Sequence, residues 1–472
     1  MKLLKWIALL LFTECFFYKG ANFGPSFQVG FAVTLDRLVF IIILLLAVWS
    51  LMCGKLQLSG LGKVGGYMLL FTLVCTVSNA VMGRGAVDYY RLFDFNYNPF
   101  IIFILAKSIP HSHKKLEFVS FAFLAVGAYL AINGMFERYG PHALVWPRYI
   151  LDPTIGIQWE RTRGSFASSE QLGSALIVTF LFYALYSVRA EGERNPKDWN
   201  SSFLLLYGIL KRSWAYLMTA VTVVCIYATN QRAAWVAFAL CLGLLAITKT
   251  HIRRAARTFL ALGLLVFLSG AASHLSIWDH TLFSKRQQTV KERWVNNLTT
   301  LEMGKANPLF GVGYGNFKTD WPKYFLEIDP EVSDLSDGNH NTFLGLFAEV
   351  GLVGLIPYLL ILCHMFRVGL RVYGNGEGFE REFALVFLLA AISYVIGANF
   401  SDYRNAQFCN TTLFLLFGTV AGIEAHMTLT THRSGVSQAV SVRRMRPGLT
   451  STTPRTPEGN MSPSEPYGRA SL

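Results

Sequence analysis

Charge is what this 472-residue chain has little of: Asp, Glu, Lys and Arg together make up 15% of it, where a soluble domain carries about a quarter. A water-exposed globular surface is therefore excluded for most of the chain. Cysteine chemistry is missing too. Cys15, Cys53, Cys75, Cys225, Cys241, Cys363 and Cys409 all lie in apolar stretches and none has metal-ligand spacing. A zinc site and a structural disulfide are thus excluded, and the seven are expected to act as small apolar side chains. No internal repeat is present. The N-terminal MKLLKWIALLLFTECFFYKG has the basic start and apolar run of a signal peptide but no small-x-small cleavage site; Phe16, Phe17 and Tyr18 stand where small residues would be needed. It is expected to be an uncleaved first span.

What is present is hydrophobicity. Apolar residues make up 53% of the chain and the mean hydropathy is +0.38. Long apolar runs recur, each near the ~20 residues that cross a bilayer core. About twelve such runs predict an all-α polytopic membrane protein. The formal charge of +13 raises nucleic acid as a partner, but the basic residues sit in short clusters between the apolar runs. With the N-terminus in the cytoplasm, the cytoplasmic loops hold Lys55 and Lys63, Lys114 and Lys115, Arg189 to Arg212, Lys249 to Arg254, and Arg367 to Arg381. Every one of them is basic, as the positive-inside rule requires. The charge is a topology signal, nucleic acid is rejected, and both termini are expected in the cytoplasm.

The organisation that follows is spans 1–9 over residues 1–273, a large outer loop over 274–340, spans 10–12 over 341–426, and a tail over 427–472. The loop lies between spans 9 and 10 and is long enough to form short helices. The tail is rich in Ser, Thr, Pro and Arg, too poor in apolar residues to build a core, and is expected to be disordered.

Ionisable groups at membrane spans are costly and call for a reason. With this topology several gather at the outer face. Arg232 opens a span in TNQRAAW. His340 opens another in SDGNHNTF. Arg163 lies in RTRGSFASSEQLG, Arg404 in NFSDYRNAQF, and Arg286 and Arg293 in SKRQQTVKERW. Converging guanidinium forks match a pyrophosphate, and an imidazole can take a proton near neutral pH. Together they suit transfer from an activated phosphate ester to a hydroxyl. The loop has no DxD or HxxE-type metal site. Each residue also has a plainer structural reading. Arg232 can snorkel at a helix end, Arg293 can be an ordinary surface charge, His340 can cap a helix with Asn339 and Asn341, and Arg163 and Arg404 can anchor the interface. Glu349, two turns into the tenth span, pairs with an arginine or orients a helix contact. Gly311, Gly313 and Gly315 in NPLFGVGYGNF permit tight turns or a close ligand, with Tyr314, Phe317 and Trp321 expected to face sugar or lipid. A secondary transporter or flippase of an anionic envelope precursor is the competing function. It would place broken helices and charges at mid-membrane, whereas these candidates cluster at one face.

RTRGSFASSEQLG, NQRAAWVAF, ERW…NPLFGVGYGNF and HNTFLGLFAEVGLVG occur in this order. They resemble the O-antigen ligase and O-antigen polymerase superfamily of bacterial membrane glycosyltransferases. The resemblance covers roughly residues 161–400 and implies a GT-C-like membrane fold. It further implies a metal-independent, inverting enzyme of cell-envelope polysaccharide or lipopolysaccharide biosynthesis in the bacterial inner membrane. The donor would be an undecaprenyl-diphosphate-linked glycan and the acceptor a hydroxyl of lipid A-core, glycan or protein, met at the periplasmic face without a cofactor. By the same resemblance, Arg232, Arg293 and His340 are the catalytic residues, with Arg286 competing for the place of Arg293. Arg163, Arg286, Arg404, Asn341 and Tyr314 are the expected substrate contacts. Asn230 and Gln231 stand where the family carries small residues.

Overall fold

The computed structural model describes residues 2–16, 27–28, 32–82, 87–156, 159–192, 202–248, 257, 280–325 and 339–444. The chain divides into two units, 1–426 and 427–472. Apart from a ribbon in which Phe27–Gln28 pairs with Ala32–Val33, the described regular structure is helical. The main helices are α1 (Lys2–Phe16), α2 (Leu35–Met52), α3 (Gly62–Met82), α4 (Val87–Leu92), α5 (Asn98–Ser108), α6 (His113–Tyr139), α7 (Ser169–Gly192), α8 (Ser202–Ala228), α9 (Arg232–Ile247), α10 (His280–Ala306), α11 (Phe317–Asp320), α12 (Thr342–Asn375), α13 (Gly378–Phe400) and α14 (Gln407–Arg444).

Among the described residues, six helices are long and apolar enough to cross a membrane: α2, α3, α6, α12, α13 and the Gln407–Thr430 part of α14. Two shorter apolar helices, Ser213–Ala228 and α9, accompany them. The expected first and fourth spans correspond to helices of 15 and 11 residues, α1 and α5. The expected ninth span, 256–273, falls on residues outside the described set except Arg257. Outward faces stay apolar: Leu69 is 72% and Val81 77% exposed on α3. A water-soluble monomer rarely shows such continuous apolar surface; hydrocarbon accommodates it. The chain is a multi-pass membrane protein. Of the cysteines, five are buried, while Cys53 and Cys363 are exposed.

The interior is organised around α13, which packs against α12, α7 and α9 and is the most buried of the six spans. α10, from the expected outer loop, lies against α12. Gly304 makes that contact possible, since a Cβ there would meet Phe347 at 2.2 Å. In the second unit, residues 427–444 are helical, where composition predicts disorder. No proline precedes Pro447 in that stretch, so nothing breaks the hydrogen-bond ladder. The rest of the tail lies outside the described residues.

Helix α12 is interrupted at Gly351, whose φ of 60° and ψ of −161° are non-helical. The backbone groups freed there need partners, because hydrocarbon supplies none. The glycine-rich loop provides them. The amides of Val312 and Gly313 donate to the carbonyls of Ala348 and Glu349, each at 2.9 Å, and Leu352 and Val353 donate to Pro308 and Leu309 at 2.8 and 3.1 Å. The two backbones touch because both lack side chains at the crossing. A Cβ on Gly311 would lie 2.3 Å from the Glu349 carbonyl carbon, and one on Gly351 2.3 Å from that of Leu309. The alternating glycines thus serve backbone-to-backbone packing that locks the 307–313 loop onto α12.

Candidate active site

The hairpin between α8 and α9 is as short as the sequence demands. Asn230 takes the turn in the left-handed region, φ 51°, which Asn tolerates better than most residues. Its amide donates to the Tyr227 carbonyl at 3.0 Å. Stacking of Tyr227 on Trp235, 5.4 Å between ring centroids, closes the hairpin. Arg232 is therefore the first residue of α9 and is exposed. The neighbouring Gln231 donates through Nε2 to the Ser169 hydroxyl at 2.7 Å, tying this hairpin to the first residue of α7.

Glu170 follows Ser169. Its Oε1 lies 3.4 Å from Nη2 of Arg293, and its Oε2 accepts from the Ser401 hydroxyl. Arg161 belongs to the same group. Burial pushes its guanidinium below the ordinary arginine value, the charge of Glu170 opposes that, and the charges of Arg293 and Arg232 push it down further. The loop carrying Arg161 is held against the end of α8, where the Thr162 amide donates to the Ala228 carbonyl at 3.3 Å. Three guanidiniums and the carboxylates of Glu170 and Glu160 thus share a neighbourhood built from the 160–170 stretch, the start of α9 and α10. The sequence reading missed Glu170 and Arg161. An acid in the first turn of an otherwise apolar helix was the available signal for Glu170. Nothing in RTR says which arginine turns inward.

Arg293 connects this group to the histidine turn. Its Nη1 reaches the Phe400 carbonyl at 3.5 Å. On one side of Phe400, the Asn399 carbonyl accepts from Asn341 Nδ2 at 3.1 Å; on the other, the Ser401 carbonyl accepts from the Thr342 hydroxyl at 2.8 Å. His340, half-exposed, immediately precedes those two residues. The turn that presents it is fixed on both sides. Asn339 is buried, and its Oδ1 accepts the Asn341 amide at 3.1 Å. Asn341 caps α12, its Oδ1 accepting the amides of Phe343 and Leu344 at 3.0 Å each. The end of α13 is thus bonded to the Arg293 side and the His340 side at consecutive residues.

Beneath the histidine turn lies a buried ion network. Arg404, fully buried, pairs with Glu349 Oε2 at 2.6 Å and with Asp402 at 2.7 and 2.8 Å. Glu349, also fully buried, receives Arg91 at 3.4 Å and the Gly315 amide at 2.9 Å. Burial is the largest influence on the Asp402 carboxyl and would raise it, but the charge and hydrogen bonds of Arg404 together with the charge of Arg91 outweigh it and hold Asp402 below the usual carboxylate range. Gly345 admits the network: a Cβ there would stand 2.0 Å from Asn339 Nδ2 and 2.7 Å from Arg404 Nη2.

Several expected substrate contacts are committed elsewhere. Arg404 is locked in that network. Arg163 has no exposed surface; Nη1 donates to the Ile155 carbonyl, and Nη2 to those of Ile150 and Asp152 at 2.9 and 3.1 Å. Its role is to fold the loop between α6 and α7, because an arginine's five donors can satisfy several inward-facing carbonyls at once. Tyr314 is fully buried and Phe317 packs with Met303 and Ala348, so neither ring is at the surface; the backbone pairing of the glycine loop carries them inward. Asn341 is a helix cap. Arg286 lies on α10 seven residues before Arg293, with its side chain outside the described residues.

Residues 217–359 match the O-antigen ligase family. This stretch holds Arg232, Arg286, Arg293, His340, Asn341 and Tyr314. The exopolysaccharide production protein ExoQ of Rhizobium meliloti (strain 1021) is 29% identical over 269 residues, which is 54% of this chain and 56% of ExoQ. The match thus spans about half the length of that curated relative. The family match falls on the superfamily that the four sequence motifs resemble.

Proposed function

We propose, with the O-antigen ligase match as the premise, that this chain transfers a glycan from an undecaprenyl-diphosphate carrier to a hydroxyl acceptor. The site opens to the periplasm, in an inner-membrane chain of twelve spans with both termini in the cytoplasm. The observation that carries the reading is the pair of bonds made by consecutive residues at the end of α13: Phe400 to Arg293, and Asn399 to the residue after His340. One helix end joins the cationic group to the turn that carries His340.

In this reading Arg232, Arg293 and Arg161 bind the carrier's diphosphate, their planar forks matching its oxygens. His340 accepts the proton of the acceptor hydroxyl. The hydroxyl oxygen forms a bond to the anomeric carbon from the face opposite the diphosphate. The carbon–oxygen bond to the diphosphate breaks, and undecaprenyl diphosphate leaves with the electron pair, its growing charge stabilised by the arginines. Attack from the opposite face inverts the anomeric configuration. The reaction routes no step through a metal. Arg163 and Arg404 act on the scaffold, one shaping the loop of Arg161 and the other supporting the turn of His340.

The break in α12 is the feature a transporter would share. Its freed groups are taken up by the 307–313 loop rather than lining a cavity, which favours the enzyme. The similarity to an exopolysaccharide production protein makes a growing glycan one acceptor to test beside lipid A-core and protein hydroxyls. Purified chain with a synthetic carrier-diphosphate oligosaccharide and each acceptor tests the reading. Transfer with release of undecaprenyl diphosphate, in the presence of chelator, is expected. Failure with every acceptor rejects it.

A further inference from the structure

Glu170 takes no part in that chemistry, yet it stands within the cationic group. One carboxylate oxygen faces Arg293 at 3.4 Å and the other holds the Ser401 hydroxyl. Ser169 beside it is bonded to Gln231, next to Arg232. The Arg293 and Glu170 side chains are 31% and 18% exposed, so the pair is open to a ligand from outside. A carboxylate and a phosphate present a guanidinium with the same arrangement of acceptor oxygens. Arg293 cannot give the same donors to both.

We propose that Glu170 is a positioning residue, a resident counter-anion that holds Arg293 in the group until the donor's diphosphate displaces it. The inference rests on the function proposed above. In the empty site Glu170 offsets part of the repulsion among the three cations; an arriving diphosphate supplies that negative charge itself, and the bond between Glu170 and Arg293 then competes with it. Its second anchor, Ser401, keeps the carboxylate from following Arg293 onto the ligand. When undecaprenyl diphosphate leaves, Glu170 regains Arg293 and thereby promotes release.

The test compares Glu170→Gln, Arg293→Ala and the double variant with the intact full-length chain, using inorganic pyrophosphate as the calorimetric probe. Glu170→Gln is expected to bind pyrophosphate more tightly by roughly two- to fivefold, the range open to a partly exposed ion pair. The gain is expected to vanish in the Arg293→Ala background. In transfer assays the same variant is expected to lower KM for the donor and also lower kcat, because the leaving group is held longer. A merely structural role would not lower KM. Glu170→Asp, which retracts the carboxylate by one methylene, serves as a second variant and is expected to shift affinity in the same direction by less. Unchanged or weaker binding by both variants overturns the proposal, as does a gain that survives in the Arg293→Ala background. Pyrophosphate binding that Arg232→Ala leaves untouched would instead reject the underlying reading of the cationic group.

Discussion

Replacing Arg404 with Met separates a scaffold role from a substrate-binding role. Met has a comparable length and no charge. The substitution strips Arg404 from the fully buried Glu349 and the partly buried Asp402, with Arg91 at 3.4 Å as the counter-charge on Glu349 that remains. Both Arg404 and Glu349 are shielded from solvent, so little water screening softens the loss. Removing one partner of such a buried pair costs about 3–5 kcal/mol. Native stabilities are commonly about 5–15 kcal/mol, so roughly a fifth or more of the margin is at stake. Thermal unfolding of the detergent-purified protein is expected to show a clear drop in transition temperature for Arg404→Met. Adding Glu349→Gln removes one stranded charge and is expected to restore part of the drop. Glycan transfer is expected to fall as well, since Arg404 underlies the turn carrying His340. Loss of transfer with an unchanged transition temperature would refute the argument and return Arg404 to direct substrate contact.

Gly351→Ala places a side chain in a conformation that only Gly adopts readily, a cost of roughly 1–3 kcal/mol, and drives a Cβ to 2.3 Å from the Leu309 backbone. Its unfolding temperature is expected to fall well below that of Gly243→Ala, where nothing lies within 4 Å; equal temperatures contradict the backbone packing. Arg163→Met leaves the Ile150, Asp152 and Ile155 carbonyls without their donors, at about 1–3 kcal/mol for each buried group left unpaired, and is expected to expose the 140–163 loop to limited proteolysis. Arg232→Ala and Arg293→Ala are expected to lower transfer by about 10²–10³-fold, the cost of losing one donor to a developing oxyanion. Neither is expected to shift the unfolding temperature appreciably, which a scattering-based melt checks.

Much of the helical architecture was legible because hydropathy and charge act locally. The tight turn at Asn230, the separation of α10 from the apolar spans and the placement of Arg232 at a helix start all follow from neighbouring residues. What stayed hidden depends on pairings between distant segments. Arg163 and Arg161 are near-identical in the sequence, and only the carbonyl-rich fold of the 150–155 stretch draws Arg163 inward. Gly311, Gly313 and Gly315 look like a ligand cradle until Gly351 of α12 meets their loop. Arg404 looks like an interface anchor until Glu349, Asp402 and Arg91 surround it. Glu170 was passed over because an acid at a helix start has an ordinary explanation, its favourable interaction with the helix dipole, and only the approach of Arg293 adds another.

The proposed transfer depends most on His340 taking a proton beside a bound diphosphate. The direct measurement is single-turnover transfer by the reconstituted chain from a synthetic undecaprenyl-diphosphate oligosaccharide, with His340→Gln matched for folding by its melt. Inverted product from the unaltered protein, and donor that is bound but not consumed by His340→Gln, are the results predicted. Transfer by His340→Gln at the unaltered rate would contradict it.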